Sequence, residues 1–217
     1  MKKIIYYIIF IILIFISYVI FKIFTFSTEG DDLEKRYREA FFKTYKIFAV
    51  EIPDKVDFAG DTAPLHKYYV RESLDQELLR FTYNHSTTLL LFKRANRWFP
   101  IIEPILKKNN IPSDFKYLAL IESYFENNVS HMGAAGFWQF VKQTAIKYDL
   151  EVNDEIDERF NVEKSTEAAC RYIKYLYSLY RNWSLVAAAY NMGETALSSV
   201  IGKQKVDNYH DLYLNYE

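Results

Sequence analysis

Glu122 is the residue whose place in the sequence most clearly suggests chemistry. Phe115, Leu118 and Ala119 follow a helical spacing, and Glu122 takes the next position on the same apolar stripe. Because burial disfavours a carboxylate, we expect Glu122 to have a raised pKa and to keep its proton near neutral pH, as a general acid requires. Taken alone, this segment also fits a glutamate at a helix end that is exposed or paired with an arginine.

A second block combines small residues with aromatic rings and an amide. Residues 133–140 read Gly-Ala-Ala-Gly-Phe-Trp-Gln-Phe, and Ser130 stands three residues earlier. Glycine and alanine let a backbone approach a ligand closely. The rings of Phe137 and Trp138 and the amide of Gln139 suit the apolar faces and hydroxyl edges of a sugar. The alternative is a tight turn followed by a core helix.

A third block closes an alanine-rich helical segment over residues 185–191. It ends in Tyr190 and Asn191, before a Met-Gly pair. Their polar tips can line a site, or they can simply end the helix and pack in the core.

Composition and charge exclude several functional classes. Of 217 residues, 50% are hydrophobic and 25% are charged, which excludes a disordered or low-complexity chain. The formal net charge of −1 gives no reason to expect nucleic acid as a partner. Cys170 is the single cysteine, and no second His, Cys or Asp stands at ligand spacing from His131. We therefore expect neither a metal site nor a cofactor.

The first 26 residues have the pattern of a membrane anchor. Lys2 and Lys3 precede 18 residues, Ile4 to Phe21, that are apolar except for one serine. As a helix they extend about 27 Å, close to the hydrocarbon thickness of a bilayer. The positive-inside tendency places the lysines in the cytoplasm and the rest of the chain in the periplasm. We predict an uncleaved single-pass anchor in the cytoplasmic membrane through residues 4–26, with a cleaved signal peptide as the alternative, and then a charged tether and short helix over residues 27–50.

Helical spacing dominates the remaining sequence, so we expect one mostly helical domain. Helices are predicted over residues 71–83, 87–98, 101–109, 161–183, 185–191 and 194–202, with a further helix starting near Ser113. Pro100 is predicted to end a helix, and Ser113 and Ser184 are predicted N-caps. Extended chain is expected over residues 50–56, before a turn around Gly60.

The three blocks, in this order, carry a family resemblance. The sequence resembles lytic transglycosylases with a soluble-lytic-transglycosylase (SLT) domain, above all the membrane-bound lytic murein transglycosylase D group. This resemblance implies an all-α fold with a lysozyme-like catalytic domain over residues 111–217. It also implies a helical N-terminal extension over residues 51–110, packed on that domain.

The resemblance further implies an activity on peptidoglycan glycan strands. Such enzymes cleave the β-1,4 bond between N-acetylmuramic acid and N-acetylglucosamine and leave a 1,6-anhydro end. Glu122 would be the single catalytic acid and base. The residues implied to bind substrate are Ser130, Gly133, Ala135, Phe137, Gln139, Tyr190 and Asn191.

Two alternative functions stay open at this point. One is a lysozyme-type muramidase that uses water, and the other is an inactive glycan-binding or assembly protein. Ordinary glycosidases use two carboxylates, whereas the motif blocks supply one. Glu126 follows Glu122 by four residues but falls in a polar turn.

The C-terminal region departs from the family pattern. Family D proteins often carry wall-binding repeats there, and we find none in this sequence. A family-like segment over residues 208–214 is followed by only three more residues. We therefore expect either a shortened chain or a minimal form of the family.

Overall fold

The computed structural model describes residues 2–44 and 48–212. Within the first range, side chains are described only for Tyr6, residues 12–23, residues 34–41 and Lys43. Part of the predicted anchor, and the last two residues of the family-like segment 208–214, therefore lie outside the described side chains. The chain divides into two compact units, with the boundary between Ala49 and Val50.

In the first unit, the described residues include one long helix, α1 (Lys2–Thr44). It includes the residues of the predicted anchor and much of the predicted tether. Among the described residues, no helix is both long enough and apolar enough to span a bilayer.

The second unit is mostly helical, which confirms the predicted helical character of the chain. It begins with a short antiparallel hairpin, β1 (Asp57–Phe58) and β2 (Asp61–Thr62), in which Asp57 pairs with Thr62 and Phe58 with Asp61. Its helices are α2 (Tyr68–Tyr83), α3 (His85–Lys108), α4 (Phe115–Ser123), α5 (Lys142–Lys147), α6 (Val162–Tyr180), α7 (Trp183–Met192) and α8 (Glu194–Gln204). Two 3-10 turns span Glu158–Phe160 and Tyr209–Asp211. The first strand of the hairpin follows directly after residues 50–56, for which extended chain is predicted.

One continuous helix, α3, replaces the two that the sequence predicts on either side of Pro100. Pro100 and Pro104 both lie inside it, where each proline removes a backbone N–H and its hydrogen bond to the preceding turn. Both prolines are exposed, whereas Ile102 and Leu106 are fully buried on the other side. Water can therefore satisfy the freed carbonyl groups, and burial of the apolar side outweighs the lost bonds.

The start of α4 differs from the prediction that Ser113 caps it. The helix begins at Phe115 without a side-chain cap. Asp114, just before it, accepts a hydrogen bond at 2.7 Å from the backbone N–H of Ala59. This aspartate therefore ties the hairpin to the helix that carries Glu122.

The start of α7 is likewise capped by a different residue than predicted. Asn182 is the N-cap, and its side chain accepts from the N–H of Leu185 at 2.8 Å. Ser184 instead donates its N–H and its hydroxyl to Asp61 Oδ2, both at 3.0 Å. The hairpin is thus joined to α7 as well.

The core lies around α6. Its residues Ala169, Cys170 and Ile173 are fully buried, and Cys170 fills a small position in this core. Trp138, from the loop before α5, is also fully buried, and its Nε1 donates to Thr166 Oγ1 at 2.9 Å. Leu179, near the end of the same helix, is 51% exposed.

Candidate active site

Glu122 is the penultimate residue of α4, and the chain turns sharply just after it. Tyr124 and Phe125 have φ values of 52° and 51°, a left-handed conformation that side chains other than glycine rarely adopt. The buried hydroxyl of Ser123 donates to Ala119 O at 3.1 Å and accepts from the N–H of Phe125 at 3.1 Å. These bonds hold the turn, and so fix the point from which the Glu122 side chain extends.

Among the described residues, one side chain, that of Asn191, donates a hydrogen bond to the carboxyl group of Glu122. Its Oε1 accepts a hydrogen bond from Asn191 Nδ2 at 3.2 Å. Burial raises the pKa of Glu122, and the bond from Asn191 opposes part of that rise. The pKa of Glu122 is therefore raised as expected, and the cause is the burial that its place on the apolar stripe suggests.

Tyr190 holds the end of α7 next to Glu122. Its hydroxyl donates to the backbone oxygen of Trp138 at 2.8 Å, and its ring centroid lies 5.2 Å from that of Tyr172. Burial raises the pKa of Tyr190 well above its ordinary value, and the nearby Glu122 adds to the rise. Tyr190 therefore stays a hydrogen-bond donor and fixes the position from which Asn191 reaches Glu122.

A cavity of about 420 Å³ opens beside this pair. Its walls come from the hairpin, α4, α7 and the turn Tyr209–Asp211. The lining residues are Val56, Phe58, Asp61, Ala63, Tyr117, Leu118, Ile121, Glu122, Ser184, Ala187, Ala188, Asn191, Met192, Tyr209 and His210. Of the predicted site residues, Glu122 and Asn191 line this cavity.

The glycine-rich block forms a compact loop before α5. Ser130 is exposed, and its hydroxyl accepts from the N–H of Ala134 at 3.1 Å. Gly133 is exposed and has a φ of 77°. The Gln139 side chain donates to Gly136 O at 2.9 Å and to Asn128 O at 3.3 Å. In this structure the amide of Gln139 is therefore used to close the loop.

Two residues of the block that the sequence assigns to substrate binding, Ala135 and Phe137, have their side chains in the core. The Phe137 ring is 2% exposed and packs 5.0 Å from both Trp98 and Phe125, centroid to centroid. Ala135 is fully buried, and its backbone exchanges both hydrogen bonds with Phe140. Neither side chain presents a surface to a ligand.

Residues 99–212 match the family model of the transglycosylase SLT domain. The chain belongs to this family. The resemblance drawn from the three sequence blocks is therefore confirmed.

Three proteins are similar to this chain in sequence. Proteins of two Escherichia coli strains, both named membrane-bound lytic murein transglycosylase D, are each 33% identical over 138 residues, which is 63% of this chain and 30% of theirs. An Alteromonas sp. (strain M-1) protein named for tributyltin chloride resistance is 31% identical over 114 residues, or 52% of this chain and 55% of its own. The chain thus spans less than a third of the length of the E. coli relatives.

Arg159 is a residue of the SLT domain that the sequence analysis missed. Its side chain is almost fully buried, pairs with Asp157 at 2.7 Å, and donates to Gly133 O at 2.8 Å and Phe140 O at 3.0 Å. It therefore braces both ends of the glycine-rich loop. Its neighbourhood has no periodic pattern that would mark a buried arginine, so the sequence offers no signal for this role.

Glu126 lies outside the cavity that Glu122 lines. Glu126 pairs with Arg94 and accepts from Asn128 at 2.7 Å; these bonds lower its pKa. Within the described residues, no group of three or more His, Cys, Asp or Glu side chains is arranged to hold a metal ion.

The pair of Asp157 and Arg159 predicts how stability depends on pH. Hydrogen bonds from Arg159 hold the pKa of Asp157 below its usual range. A lowered carboxyl pKa contributes stability above the ordinary aspartate pKa, and that contribution is lost as the pH falls through the lowered value. We therefore expect the melting temperature to decrease as the pH is lowered below about 4. This decrease should be less steep in Asp157→Asn.

Circular dichroism melts at several pH values measure this effect. Asp154→Asn is a matched change at an exposed position of the same turn region, and its melting temperature should depend on pH as that of the unmodified protein does. The same pH dependence of the melting temperature in both variants would contradict the prediction.

Proposed function

We propose that the chain is a peptidoglycan lytic transglycosylase in which Glu122 acts first as an acid and then as a base. The observation that carries the proposal is a carboxyl group with a raised pKa, which lines a mostly apolar cavity and accepts one hydrogen bond from Asn191. Membership of the SLT family and the names of the E. coli relatives support peptidoglycan glycan strands as the substrate.

The reaction begins with proton transfer from Glu122. Its carboxyl group protonates the glycosidic oxygen as the β-1,4 bond from N-acetylmuramic acid to N-acetylglucosamine breaks. The resulting carboxylate takes the proton from the 6-hydroxyl of the muramoyl residue, and that oxygen closes the 1,6-anhydro ring. Because nucleophile and electrophile belong to one sugar, their effective molarity is high and no second base is required.

The two steps make opposite demands on Glu122. The first needs the protonated form, which burial favours, and the second uses the carboxylate, which the bond from Asn191 stabilises. Following the family resemblance, we assign the muramoyl unit to the turn of Ser130 and Gly133 and to Gln139. Tyr190 acts as the residue that positions Asn191.

One observation favours a second candidate, a muramidase that uses water. Asp61 is a second carboxyl group that lines the same cavity, and hydrolytic glycosidases use two carboxylates. We rank the transglycosylase first, because the SLT family match and the names of the E. coli relatives favour it.

Product analysis separates these functions. Purified wall sacculi are digested with the full chain, and the soluble products are examined by mass spectrometry before and after borohydride reduction. A transglycosylase yields products one water molecule lighter that resist reduction. Reducible muramic ends would identify the muramidase, and sacculi that bind the protein without releasing product would identify a glycan-binding protein.

We further propose that residues 4–26 anchor the protein in the cytoplasmic membrane, with the second unit in the periplasm. The apolar run of 18 residues behind Lys2 and Lys3 supports this placement, as does the word membrane-bound in the names of the E. coli relatives. Carbonate extraction of membranes, with protease treatment of spheroplasts, tests both statements. Release by carbonate or protection from protease would contradict them.

Removing the amide of Asn191 should shift the pH profile. In Asn191→Ala the ionised form of Glu122 loses its hydrogen bond, so the pKa of Glu122 rises further. The alkaline limb of kcat/KM, where the acid loses its proton, is then expected at higher pH than in the unmodified enzyme. Asn127→Ala, which removes an exposed amide, serves as the control. A shift of the limb to lower pH would contradict the assignment.

A further inference from the structure

The cavity beside Glu122 contains two polar side chains that the proposed reaction does not use. Asp61 comes from the hairpin and His210 from the last 3-10 turn. We infer that Asp61 and His210 form a subsite for an N-acetylhexosamine unit of the glycan, in which they recognise its acetamido and hydroxyl groups. This inference rests on the proposed function for its substrate class.

Asp61 has one oxygen engaged and one available. Oδ2 accepts from the N–H and the hydroxyl of Ser184, both at 3.0 Å, which fixes the carboxylate against α7. Oδ1 accepts no hydrogen bond from the part of the chain that the structure describes. An acceptor held in place with a free oxygen is suited to the N–H or O–H of a ligand.

His210 is held in the wall by contacts outside the cavity. Asn208 accepts from its backbone N–H at 2.9 Å. The next residue, Asp211, pairs with Lys67 and accepts from the Tyr69 hydroxyl at 2.8 Å. These bonds pin the turn to the start of α2 and leave the imidazole nitrogens of His210 without a hydrogen bond among the described residues.

The protonation state of His210 suits the recognition of a neutral ligand. Burial lowers the pKa of His210, with the nearby Asp61 and Asp211 opposing and Lys67 adding to the shift. Near neutral pH the ring is therefore uncharged, with one nitrogen as donor and the other as acceptor. It can accept from a sugar hydroxyl or donate to an acetamido oxygen.

The rest of the lining determines the kind of ligand. It is mostly apolar and includes Val56, Phe58, Ala63, Ala187 and Ala188. A ligand must offer apolar surface together with a donor for Asp61, and an N-acetylated sugar does so through its methyl group, its ring C–H face and its amide N–H. Residues 56–63 also lie before the matched SLT region, 99–212, so the subsite combines the family domain with the segment preceding it.

Direct binding of a small probe tests the subsite. N,N′-diacetylchitobiose is titrated into the full chain by calorimetry, with cellobiose, which has hydroxyls in place of the acetamido groups, as the control ligand. We expect the chitobiose to bind and cellobiose to bind at least about tenfold more weakly, as the loss of a hydrogen bond implies. Equal affinity for the two sugars would overturn the inference.

Two variants, with a control, locate the binding groups. Asp61→Asn retains an oxygen for Ser184 but replaces the available acceptor with an NH2 group, and His210→Phe retains a ring without nitrogens. Each is expected to weaken chitobiose binding about tenfold and to raise KM for sacculi with kcat unchanged. His66→Phe, the same change at an exposed histidine, should bind as the unmodified chain does. His210→Ala replaces His210→Phe if a circular dichroism melt indicates that the latter does not fold.

The outcomes distinguish this inference from the proposed function. A chain that binds chitobiose through Asp61 and His210 but leaves sacculi intact would support the subsite and refute the enzyme. An active chain whose variants keep the unmodified affinity and KM would overturn the subsite alone. Loss of kcat in Asp61→Asn, with KM preserved, would also overturn it and assign Asp61 to the chemistry as a second carboxylate.

Discussion

Replacing Glu122 with glutamine is expected to lower turnover of sacculi by about 10³-fold, within the range that a general acid contributes. Glutamine keeps the shape of the side chain and can still bond to Asn191, but it has no proton to transfer to the glycosidic oxygen. The variant should still bind sacculi, because the cavity is left intact. Turnover is measured as the release of soluble muropeptides, and binding as co-sedimentation with sacculi.

Glu126→Gln is the matched control for this experiment. Glu126 lies four residues further on and pairs with Arg94 outside the cavity. It should therefore keep the turnover of the unmodified protein. Unchanged release of muropeptides by Glu122→Gln, or an equal loss of turnover in both variants, would refute Glu122 as the acid.

Replacing Gly136 with alanine is expected to destabilise the fold by more than about 4 kcal/mol, the range reserved for severe packing defects. A Cβ atom at Gly136 would lie 1.9 Å from the backbone oxygen of Arg159 and 2.7 Å from its carbonyl carbon. The φ of Gly136 is 73°, which disfavours alanine in addition. Arg159 cannot easily move away, because its side chain is buried and paired with Asp157.

Gly133→Ala separates the steric clash from the backbone conformation. Gly133 has a similar φ of 77°, but a Cβ there would meet no atom within 4 Å. Its cost should be about 1 kcal/mol, that of a left-handed alanine alone. Denaturant unfolding followed by tryptophan fluorescence measures both free energies of unfolding. Similar values for the two variants would mean that Arg159 does not confine the loop.

The acid, its neighbours and the fold class illustrate what local spacing can predict. The helical stripe placed Glu122 beside apolar residues, and its burial and raised pKa follow from that position. The end of α7 placed Tyr190 and Asn191 as polar tips, and Asn191 does reach Glu122. A helix repeats every 3.6 residues, so a stripe in the sequence becomes one face in space whatever the rest of the chain does.

Prediction and structure differ where distant segments compete for the same residues. Phe137 was assigned to a ligand because aromatic rings suit sugars, and in the structure its ring packs against Trp98 and Phe125. Pro100 was expected to end a helix, yet burial of Ile102 and Leu106 carries α3 through it. Ser184 resembles a helix cap, but Asp61 binds it from the hairpin.

The sequence by itself determined the place of Glu122 on an apolar helix face, the helical character and the SLT family, because each depends on residue types at short spacings. Only the tertiary structure decided what surrounds Glu122. Asp61 and His210 reach the Glu122 cavity from opposite ends of the second unit, and Arg159 braces a loop well before it in the chain. Such contacts form when the whole core is buried at once, and no local pattern records which distant side chains will meet.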